Sequence, residues 1–488
     1  MKKKKKRNLI DDYKKNPISL KTGYLLLLAP IVILATYSPY FEEDIWFLIK
    51  HGEYVLNHGI PHIEFLSMHQ GLHFIMQQWL ASIIFYLTHH FLGSIGLKLL
   101  LEIVNLVLIY FLYKLCLLVS NNKYRLSIYV TVIADIFLLY FWLSRPWIFT
   151  FLNLVIVLYI MELFYRKNNK KVLLFLPLIS LLQINIQAAM WLLLIVFMLP
   201  YVADLIIKKD KRVLYLLGII PIMLVVGFIN PYGLESMLYV FTSYGHEEIN
   251  YAVVEMHSPV IGLNKINTPS NLLFIAILGI VMTYILGKKG KIKLRYFFLT
   301  IGSLALALLN VRSIPLFFIG AFFPLADYLS PYGKNNKLVN KEDDKDFVPS
   351  LVIMIIIILA LTCFFKTKET NVIKKGVDAI IKDGGTSKDA VFTKYEHGPY
   401  AEYRGLKPYM DTRAEVFIKA NNHKEDIFYE YMELEQGIYD HDKFLNKYNF
   451  KYLIILKNEY FYISVVTNPR YEILYENKYY TVFKQKEK

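Results

Sequence analysis

The sequence predicts an α-helical polytopic membrane protein with a small α/β domain at its C-terminal end. Of the 488 residues, 55% are hydrophobic and 16% are aromatic, and the mean hydropathy is +0.37. These values exceed those of soluble domains. Only residues 366–488 return to the composition of a soluble protein, with short apolar runs between charged stretches.

The N-terminal end predicts a membrane anchor. Residues 1–22 form a basic, cytoplasmic segment, and an apolar run follows from Gly23 to about Tyr40. This run is long enough to cross a bilayer and has no small-residue cleavage site, so we interpret it as a retained signal anchor. Both cysteines, Cys116 and Cys363, lie in apolar runs, which argues against a disulfide framework and a cysteine metal site.

Further apolar runs, separated by short basic loops, predict about eleven transmembrane helices within residues 23–365. They cover roughly 23–40, 96–118, 126–143, 150–165, 172–187, 189–207, 213–229, 271–287, 296–310, 314–330 and 348–365. The N-terminus and alternate loops on its side carry 28 lysines and arginines, and the opposite loops carry four. The N-terminus is therefore expected in the cytoplasm and residues 366–488 outside. The formal net charge of +15 reflects this topology and attraction to anionic membrane lipids, with no nucleic-acid partner.

Two regions outside the spans have their own patterns. Residues 41–95 form a long first outer segment, in which "EDIWFLIKHGEYVL" and "QQWLASIIFYLTHHFLG" predict amphipathic helices lying in the membrane interface. Residues 366–488 contain four β-like runs, "DAVFTKY", "KPYMDTR", "FKYLIILK" and "YYTVFKQ", and a helix-like stretch from 422 to 448. These patterns predict a small extracytoplasmic α/β domain.

Polar residues gather at the predicted outer ends of the helices. Glu42, Glu43 and Asp44 follow the first span, and the others are Arg145, Asn185, Gln187, Asn230, Glu255, His257 and Arg312. Polar groups at the hydrocarbon edge are costly unless they are paired or line a wet cavity, so we expect a shared outward-facing cavity. These residues also have a purely structural interpretation. The arginines could be interface anchors, "NPYG" and "RPW" could be turns and helix ends, and the acidic triplet could begin a solvated loop.

Eight motifs follow one another along the chain. They are "HGEYVLNHGIPHIEFLS" at 51–67, "QQWL" at 77–80, "RPWIF" at 145–149, "NIQ" at 185–187, "NPYG" at 230–233, "EMHSP" at 255–259, "RSIPLF" at 312–317, and the pair "HGPYAEY" and "YMDTRAEVF" at 397–403 and 409–417. Their order resembles the GT-C superfamily of membrane glycosyltransferases, which use polyprenyl-phosphate-linked sugars. The chain is especially similar to the bacterial branch related to protein mannosyltransferases and lipid A aminoarabinose transferases. It departs from that branch where Leu48 and Gln187 replace histidines and where Gln77 and Gln78 replace a His-Glu pair.

The resemblance implies a GT-C-like glycosyltransferase that moves a sugar from a polyprenyl-phosphate-linked donor to an extracytoplasmic envelope acceptor. Asp44 matches the acidic first-loop position and would act as the base, with Glu43 and Glu42 beside it as like charges that raise its proton affinity. Arg145 and Arg312 would hold the lipid phosphate. The remaining candidates would bind or orient the substrate: Asn185, Gln187, Asn230, Glu255 and His257. A divalent cation, Mg or Mn, is compatible with the acidic cluster, although nothing in the sequence requires one.

Two other classes remain open at this stage. A transporter or polymerisation component is favoured by Glu102, Asn105 and Asp135, which lie within predicted spans. Against it, the chain has no paired, Gly/Pro-broken helices in corresponding halves. A non-catalytic envelope assembly protein would keep the fold and bind a lipid-linked glycan. The four departures from the branch pattern favour this last class.

Overall fold

The protein is described here by a computed structural model that covers residues 24–36, 41–243, 247–259, 293–332, 347–365 and 371–486. The basic N-terminal segment and the predicted span at 271–287 lie outside the described residues. The described chain is helical up to residue 365, and a small mixed α/β domain follows.

The helices of the first part are of very different lengths. They are α1 (Ala29–Thr36), α2 (Asp44–His58), α3 (Trp79–Val119), α4 (Tyr124–Leu139), α5 (Trp147–Lys167), α6 (Phe175–Ile186), α7 (Leu193–Val196), α8 (Leu199–Ile207), α9 (Val213–Val226), α10 (Leu234–Ser243), α11 (Glu247–Ala252), α12 (Leu294–Leu309), α13 (Ile314–Leu329) and α14 (Phe347–Phe364). Short 3-10 turns at Lys170–Leu174, Ala188–Met190, Val254–Met256, Val311–Ser313 and Ser330–Tyr332 join several of them.

Four helical stretches of the described chain are long and apolar enough to cross a membrane: Trp79–Val119, Trp147–Lys167, Ala188–Ile207 and Val311–Leu329. Four shorter apolar helices accompany them, at Tyr24–Thr36, Val213–Val226, Leu294–Leu309 and Ser350–Phe364. An α-helix pairs its backbone N–H and C=O groups within its own segment, so it can cross a bilayer without leaving them unpaired. These apolar helices therefore agree with the predicted membrane class. The number of eleven spans stays a prediction.

The first outer segment is packed between the helices and the C-terminal domain. Most residues in the first turns of α2 are buried. Helix α3 is interrupted at Gly93, whose φ of 60° and ψ of −152° are not helical. The interruption lies between the predicted interfacial helix "QQWLASIIFYLTHHFLG" and the predicted span at 96–118. Gly52 permits the close approach of α2 and α3, because a Cβ atom there would overlap the carbonyl oxygen of Ser82.

The C-terminal domain is built around a five-stranded sheet in the order β2-β1-β3-β5-β4. Its strands are β1 (Ala390–Thr393), β2 (Lys407–Pro408), β3 (Tyr452–Leu456), β4 (Tyr471–Glu476) and β5 (Tyr480–Gln485). Strand β1 runs parallel to β2 and β3, and β5 runs antiparallel to β3 and β4. The helices are α15 (Lys374–Lys382), α16 (Gly398–Tyr403), α17 (Lys419–Asn422), α18 (Ile427–Glu435), α19 (His441–Tyr448) and α20 (Tyr460–Val466), with 3-10 turns at Tyr395–His397 and Ala414–Phe417.

The first outer segment and this domain share a hydrophobic core. Leu72, Phe74 and Met76 are buried in the same cluster as Phe392 and Tyr409 of the domain. Backbone hydrogen bonds reinforce the contact, since the Met68 N–H donates to the Pro408 carbonyl at 3.0 Å and the His73 N–H to the Asn422 carbonyl at 3.1 Å. The domain is therefore fixed against residues 68–76 of the helical part.

Candidate functional site

A cavity of about 300 Å³ lies where one end of the helices meets the C-terminal domain. Five of the ten predicted site residues line it, although they are widely separated along the chain: Asp44, Arg145, Gln187, Glu255 and Arg312. Half of the predicted residues therefore share one cavity. We call it the first cavity.

Arg145 is the centre of an acidic cluster beside this cavity. Its Nε atom lies 3.0 Å from Asp44 Oδ2, and its Nη1 atom donates to Glu255 Oε2 at 3.0 Å. Glu42 contacts the same guanidinium. One cation therefore holds three carboxylates, which we call the Arg145 cluster.

Local structure explains how these side chains reach the cavity. Asp44 is the first residue of α2, where a carboxylate is favoured by the helix dipole. Arg145 immediately precedes Pro146, and proline is well suited to the start of a helix, here α5. Glu255 lies on the 3-10 turn at Val254–Met256, outside any long helix.

Arg312 is placed differently from Arg145. It lies on the turn Val311–Ser313, which Asn310 caps by accepting a hydrogen bond from the Ser313 N–H at 2.9 Å. Its guanidinium lies over the Trp147 ring, 4.6 Å from the centroid, and its buried Nε has no hydrogen-bond partner within the described chain. Arg312 therefore has donor capacity available for a ligand, whereas Arg145 is engaged by carboxylates.

The carboxylates differ in their proton affinity. Burial, with the charges of Asp44 and Glu255, raises the pKa of Glu42 to about 7 in spite of the Arg145 guanidinium. Burial also acts on Glu255, but Arg145 and Arg312 together hold the pKa of Glu255 below its usual value. The cluster can thus hold a proton on Glu42 while Glu255 remains ionised.

The C-terminal domain completes the wall of the first cavity. Thr412 Oγ1 donates to Asp44 Oδ1 at 2.7 Å, and Tyr395, Glu396 and Glu415 also line the cavity. These residues of the C-terminal domain were not predicted to belong to the site, although the motif "YMDTRAEVF" includes Thr412 and Glu415. The available signal was the polar end of the predicted strand "KPYMDTR".

Arg413 anchors this wall in a second charge cluster. Its guanidinium donates to Asp411 and to Glu64 Oε1, the latter at 2.9 Å, and Glu402 Oε1 lies 3.5 Å away. Its Nη1 atom also lies 2.9 Å from His51 Nε2. Gly398 allows α16 to approach closely, since a Cβ atom there would overlap the Met410 carbonyl oxygen. We call this group the Arg413 cluster.

Five predicted site residues do not line the first cavity: Glu42, which contacts Arg145, and four others. The first of these four is Glu43, which accepts a hydrogen bond from Asn371. Asn185 accepts from Trp79 Nε1 at 3.0 Å and donates to the Ile229 carbonyl, while Asn230 bonds within its own turn. His257 accepts through its carbonyl from the Val311 N–H at 3.0 Å. Through these contacts, the four residues stabilise the chain segments next to the first cavity.

The residues that depart from the bacterial branch pattern all line the first cavity: Leu48, Gln77, Gln78 and Gln187. Gln77 Oε1 accepts from the Ala189 N–H at 3.1 Å, which joins the first outer segment to the turn after α6. Gln187 Oε1 accepts from Thr150 Oγ1 at 2.8 Å inside a buried amide network. The substitutions therefore change the surface that a ligand would meet.

The acidic cluster does not fit a divalent cation in this arrangement. Glu42, Asp44 and Glu255 converge on a guanidinium, so their negative charge is already neutralised in part. Within the described residues, no group of three or more His, Cys, Asp or Glu side chains is arranged to hold a metal ion. We assign no step to a metal.

The residues that favoured transport connect helices instead. Asn105 Nδ2 donates to Asp135 Oδ1 at 3.1 Å, which joins α3 to α4. Thr362 Oγ1 donates to Glu102 at 2.8 Å, which joins α14 to α3. Interhelical hydrogen bonds of this kind stabilise membrane bundles, so a translocation path is not needed to explain these polar groups.

Comparison with known proteins gives structural neighbours only. Neither the protein-family models nor the curated sequences contain a match. Among solved structures, the fold is similar to the oligosaccharyltransferase AglB of the archaeon Archaeoglobus fulgidus. The apo form has a TM-score of 0.55 and 11% identity, over 89% of this chain and 69% of that protein.

Two further structures of the archaeal enzyme are similar to the same extent. The form tethered to an acceptor peptide with the NVT sequon has a TM-score of 0.55 and 12% identity, over 89% of this chain and 69% of the other. The complex with an inhibitory peptide and a dolichol-phosphate has a TM-score of 0.54 and 10% identity, over 91% and 69%. At this identity the likeness shows the fold alone, which is mostly helical with a small C-terminal sheet. The bacterial branch stays a prediction.

Proposed function

We propose that the protein is a membrane glycosyltransferase that moves a sugar from a polyprenyl-phosphate-linked donor to an extracytoplasmic acceptor of the cell envelope. The observation that carries this proposal is the first cavity, which combines a carboxylate, Asp44, with a cation that has donors available, Arg312. The fold shared with AglB supports it, since one AglB structure contains a dolichol-phosphate and another an acceptor peptide.

The two arginines take different roles in this proposal. Arg312 binds the donor phosphate, because its guanidinium is held over Trp147 and can offer hydrogen bonds to an anion. Arg145 keeps Asp44 and Glu255 in place. Gln187 and Glu255 contact the sugar, as the lining of the cavity allows.

Transfer requires one bond to form and one to break. The acceptor hydroxyl attacks the anomeric carbon, the bond from that carbon to the phosphate oxygen breaks, and the phosphate leaves with the electron pair. The hydroxyl proton passes to Asp44, which Thr412 and Arg145 orient. Arg312 stabilises the charge that develops on the leaving phosphate.

A non-catalytic role is the second candidate. Leu48, Gln77, Gln78 and Gln187 all line the first cavity. None of these side chains can exchange a proton at neutral pH, so a chain of this composition is suited to holding a lipid-linked glycan without transferring it.

A turnover assay separates the two candidates. Purified protein in nanodiscs is incubated with a polyprenyl-phosphate-linked sugar and envelope membranes, and free polyprenyl phosphate is measured by mass spectrometry. A glycosyltransferase releases polyprenyl phosphate only when acceptor membranes are present. Tight donor binding without release would instead support the non-catalytic role.

The proposal also includes an orientation: an N-terminus in the cytoplasm and residues 366–488 outside. The distribution of lysine and arginine among the loops supports it. Protease added to intact spheroplasts should remove the C-terminal domain. A domain protected from protease would place the first cavity on the cytoplasmic side and contradict an extracytoplasmic acceptor.

A further inference from the structure

A second cavity of about 180 Å³ adjoins the first. Its walls come from α10, from the first outer segment at residues 73–75 and from the domain segment at residues 415–423. No predicted site residue lines it, and the mechanism described above does not use it.

The two cavities share a wall made of Tyr239 and Glu415, which line both. Tyr239 Oη donates to Glu415 Oε1 at 3.0 Å. A ligand in the second cavity would therefore reach the first beside the Glu415 carboxylate. Burial raises the pKa of Glu415, and the Tyr239 hydrogen bond and the Arg312 charge offset only part of that effect.

The two cavities differ in charge. The first contains the guanidinium groups of Arg145, Arg312 and Arg413, whereas the described residues that line the second include no lysine or arginine. Carboxylates line both cavities: Asp44, Glu255, Glu396 and Glu415 in the first, and Glu235 and Glu415 in the second. A phosphate or carboxylate ligand therefore has guanidinium partners in the first cavity, whereas the described lining of the second offers it carboxylates and no cation.

The lining of the second cavity suits a ring with apolar faces and a polar edge. Apolar side chains of Phe74, Ile75, Leu238 and Val416 form much of its surface. The His73 and His423 rings stack with centroids 4.8 Å apart and an angle of 4° between their planes, and both line the cavity. Predominantly apolar walls with a few fixed polar groups are typical of small-molecule sites, and a cavity of about 150 Å³ already holds a six-membered ring.

The walls are held in place before any ligand binds. The His73 N–H donates to the Asn422 carbonyl, and Lys424 Nζ donates to the Gln70 carbonyl at 3.0 Å. Asn421 Nδ2 donates to the Glu415 carbonyl at 2.8 Å, which fixes the shared wall. Such preorganisation reduces the entropy that a ligand must lose on binding.

We propose that the second cavity is the acceptor site and that it binds a neutral, hydroxyl-bearing sugar unit, which it presents to the first cavity past Glu415. The assignment of this sugar as the acceptor rests on the proposed glycosyltransferase function. The binding of a neutral sugar in this cavity does not.

Saturation-transfer NMR on the full-length protein in nanodiscs tests the site with two probes of the same ring size, neutral methyl glucoside and anionic glucuronate. We expect a signal from methyl glucoside and none from glucuronate. Ala420→Trp, which fills the cavity from α17, should weaken methyl glucoside binding by about tenfold or more. Lys419→Trp, on the adjacent exposed position of the same helix, should leave it unchanged.

Two further measurements keep the outcome unambiguous. Thr242→Trp fills the cavity from the opposite wall, and unaltered polyprenyl phosphate binding shows that each variant is folded. Equal methyl glucoside binding in the wild type and both filled variants, or equal binding of glucuronate, would overturn the proposal. If the sugar results are as expected but polyprenyl phosphate does not bind the wild type, the proposed donor site is contradicted. The proposed sugar site in the second cavity is then still supported.

Discussion

Two clusters in this protein combine the same types of charged residue in different surroundings, and the Arg413 cluster also contains His51. Each contains one arginine and three carboxylates: Arg145 with Glu42, Asp44 and Glu255, and Arg413 with Glu64, Glu402 and Asp411. The Arg413 side chain is 4% exposed and its carboxylates 0%, whereas Arg145 is 19% exposed and its partners 19–38%.

The comparison shows that accessibility, not residue type, separates a structural charge cluster from a candidate site. Glu64 has its remaining hydrogen bonds supplied by the Leu66 and Ser67 N–H groups and by Ser67 Oγ, so no acceptor position is left for a ligand. The Arg145 cluster presents Asp44 and Glu255 to the first cavity beside Arg312, whereas Arg413, which lines the same cavity, is 4% exposed and is held by buried carboxylates. We therefore expect changes in the Arg413 cluster to act on stability and changes around the Arg145 cluster to act on turnover.

Replacement of Arg413 should have the largest effect. Arg413→Met leaves three buried carboxylates without their cation, which should lower the free energy of unfolding by about 3–5 kcal/mol. Chemical denaturation in detergent measures the change. Arg404→Met is the matched control, because the Arg404–Asp378 pair is more exposed and should contribute about 0–1 kcal/mol. Similar losses in both variants would contradict a special role for the Arg413 cluster.

Replacement of Asp44 should act on turnover instead. Asp44→Asn removes the proton acceptor but keeps a polar group beside Thr412, so transfer should fall by about 10²–10⁴-fold while donor affinity is retained. Steady-state release of polyprenyl phosphate and equilibrium donor binding measure the two effects. Glu53→Gln, on the same helix but outside the cavity lining, should leave both unchanged. Full activity of Asp44→Asn would move the base to another carboxylate.

Arg312 should determine donor affinity. Arg312→Ala should weaken polyprenyl phosphate binding by about 1.5–3 kcal/mol, because a charge-assisted hydrogen bond is lost. Arg312→Lys should restore only part of the affinity, since a point charge lacks the planar pair of donors. Binding titrations in nanodiscs measure both. An interface anchor would give unchanged affinity in both variants.

Glu43 should contribute a pH dependence to the stability of the protein. Burial raises the pKa of Glu43 from 4.5 to about 8 in spite of the hydrogen bond from Asn371. The folded protein thus keeps a proton that the unfolded chain loses, and this contribution to stability is complete below pH 4.5 and decreases as the pH rises towards 8. Glu43→Gln should flatten that decrease when unfolding is measured from pH 5 to pH 8.5. An unchanged profile would show that Glu43 is ionised in the folded protein.

Much of the fold could be predicted from the sequence because hydrophobic patterns are local. The runs at "DAVFTKY" and "FKYLIILK" contain β1 and β3, and the helix-like stretch at 422–448 contains α18 and α19. Strand β4 was not predicted, because three of the six side chains in "YEILYE" are exposed and the run is short and only weakly apolar. Helix α20 was not predicted either, since "YFYISVV" is rich in the β-branched and aromatic residues typical of strands.

The site could be predicted less completely because it depends on tertiary contacts. Asp44, Arg145, Glu255 and Arg312 were recognised as polar residues at helix ends, and they do share a cavity. The contact of Asp44 with Thr412 joins positions 368 residues apart, which no local pattern reveals. Arg145 is paired with carboxylates and Arg312 has donors available, and this difference depends on which carboxylates lie close to each guanidinium. Spacing along the sequence does not define those distances.

The first cavity is proposed to bind the phosphate of a lipid-linked donor. The most direct test is an electron cryomicroscopy structure of the protein in nanodiscs with a polyprenyl phosphate. We expect phosphate density in the first cavity, with an oxygen about 2.7–2.9 Å from the Arg312 guanidinium. Phosphate density at the basic loops of the opposite membrane face, with the first cavity empty, would contradict it.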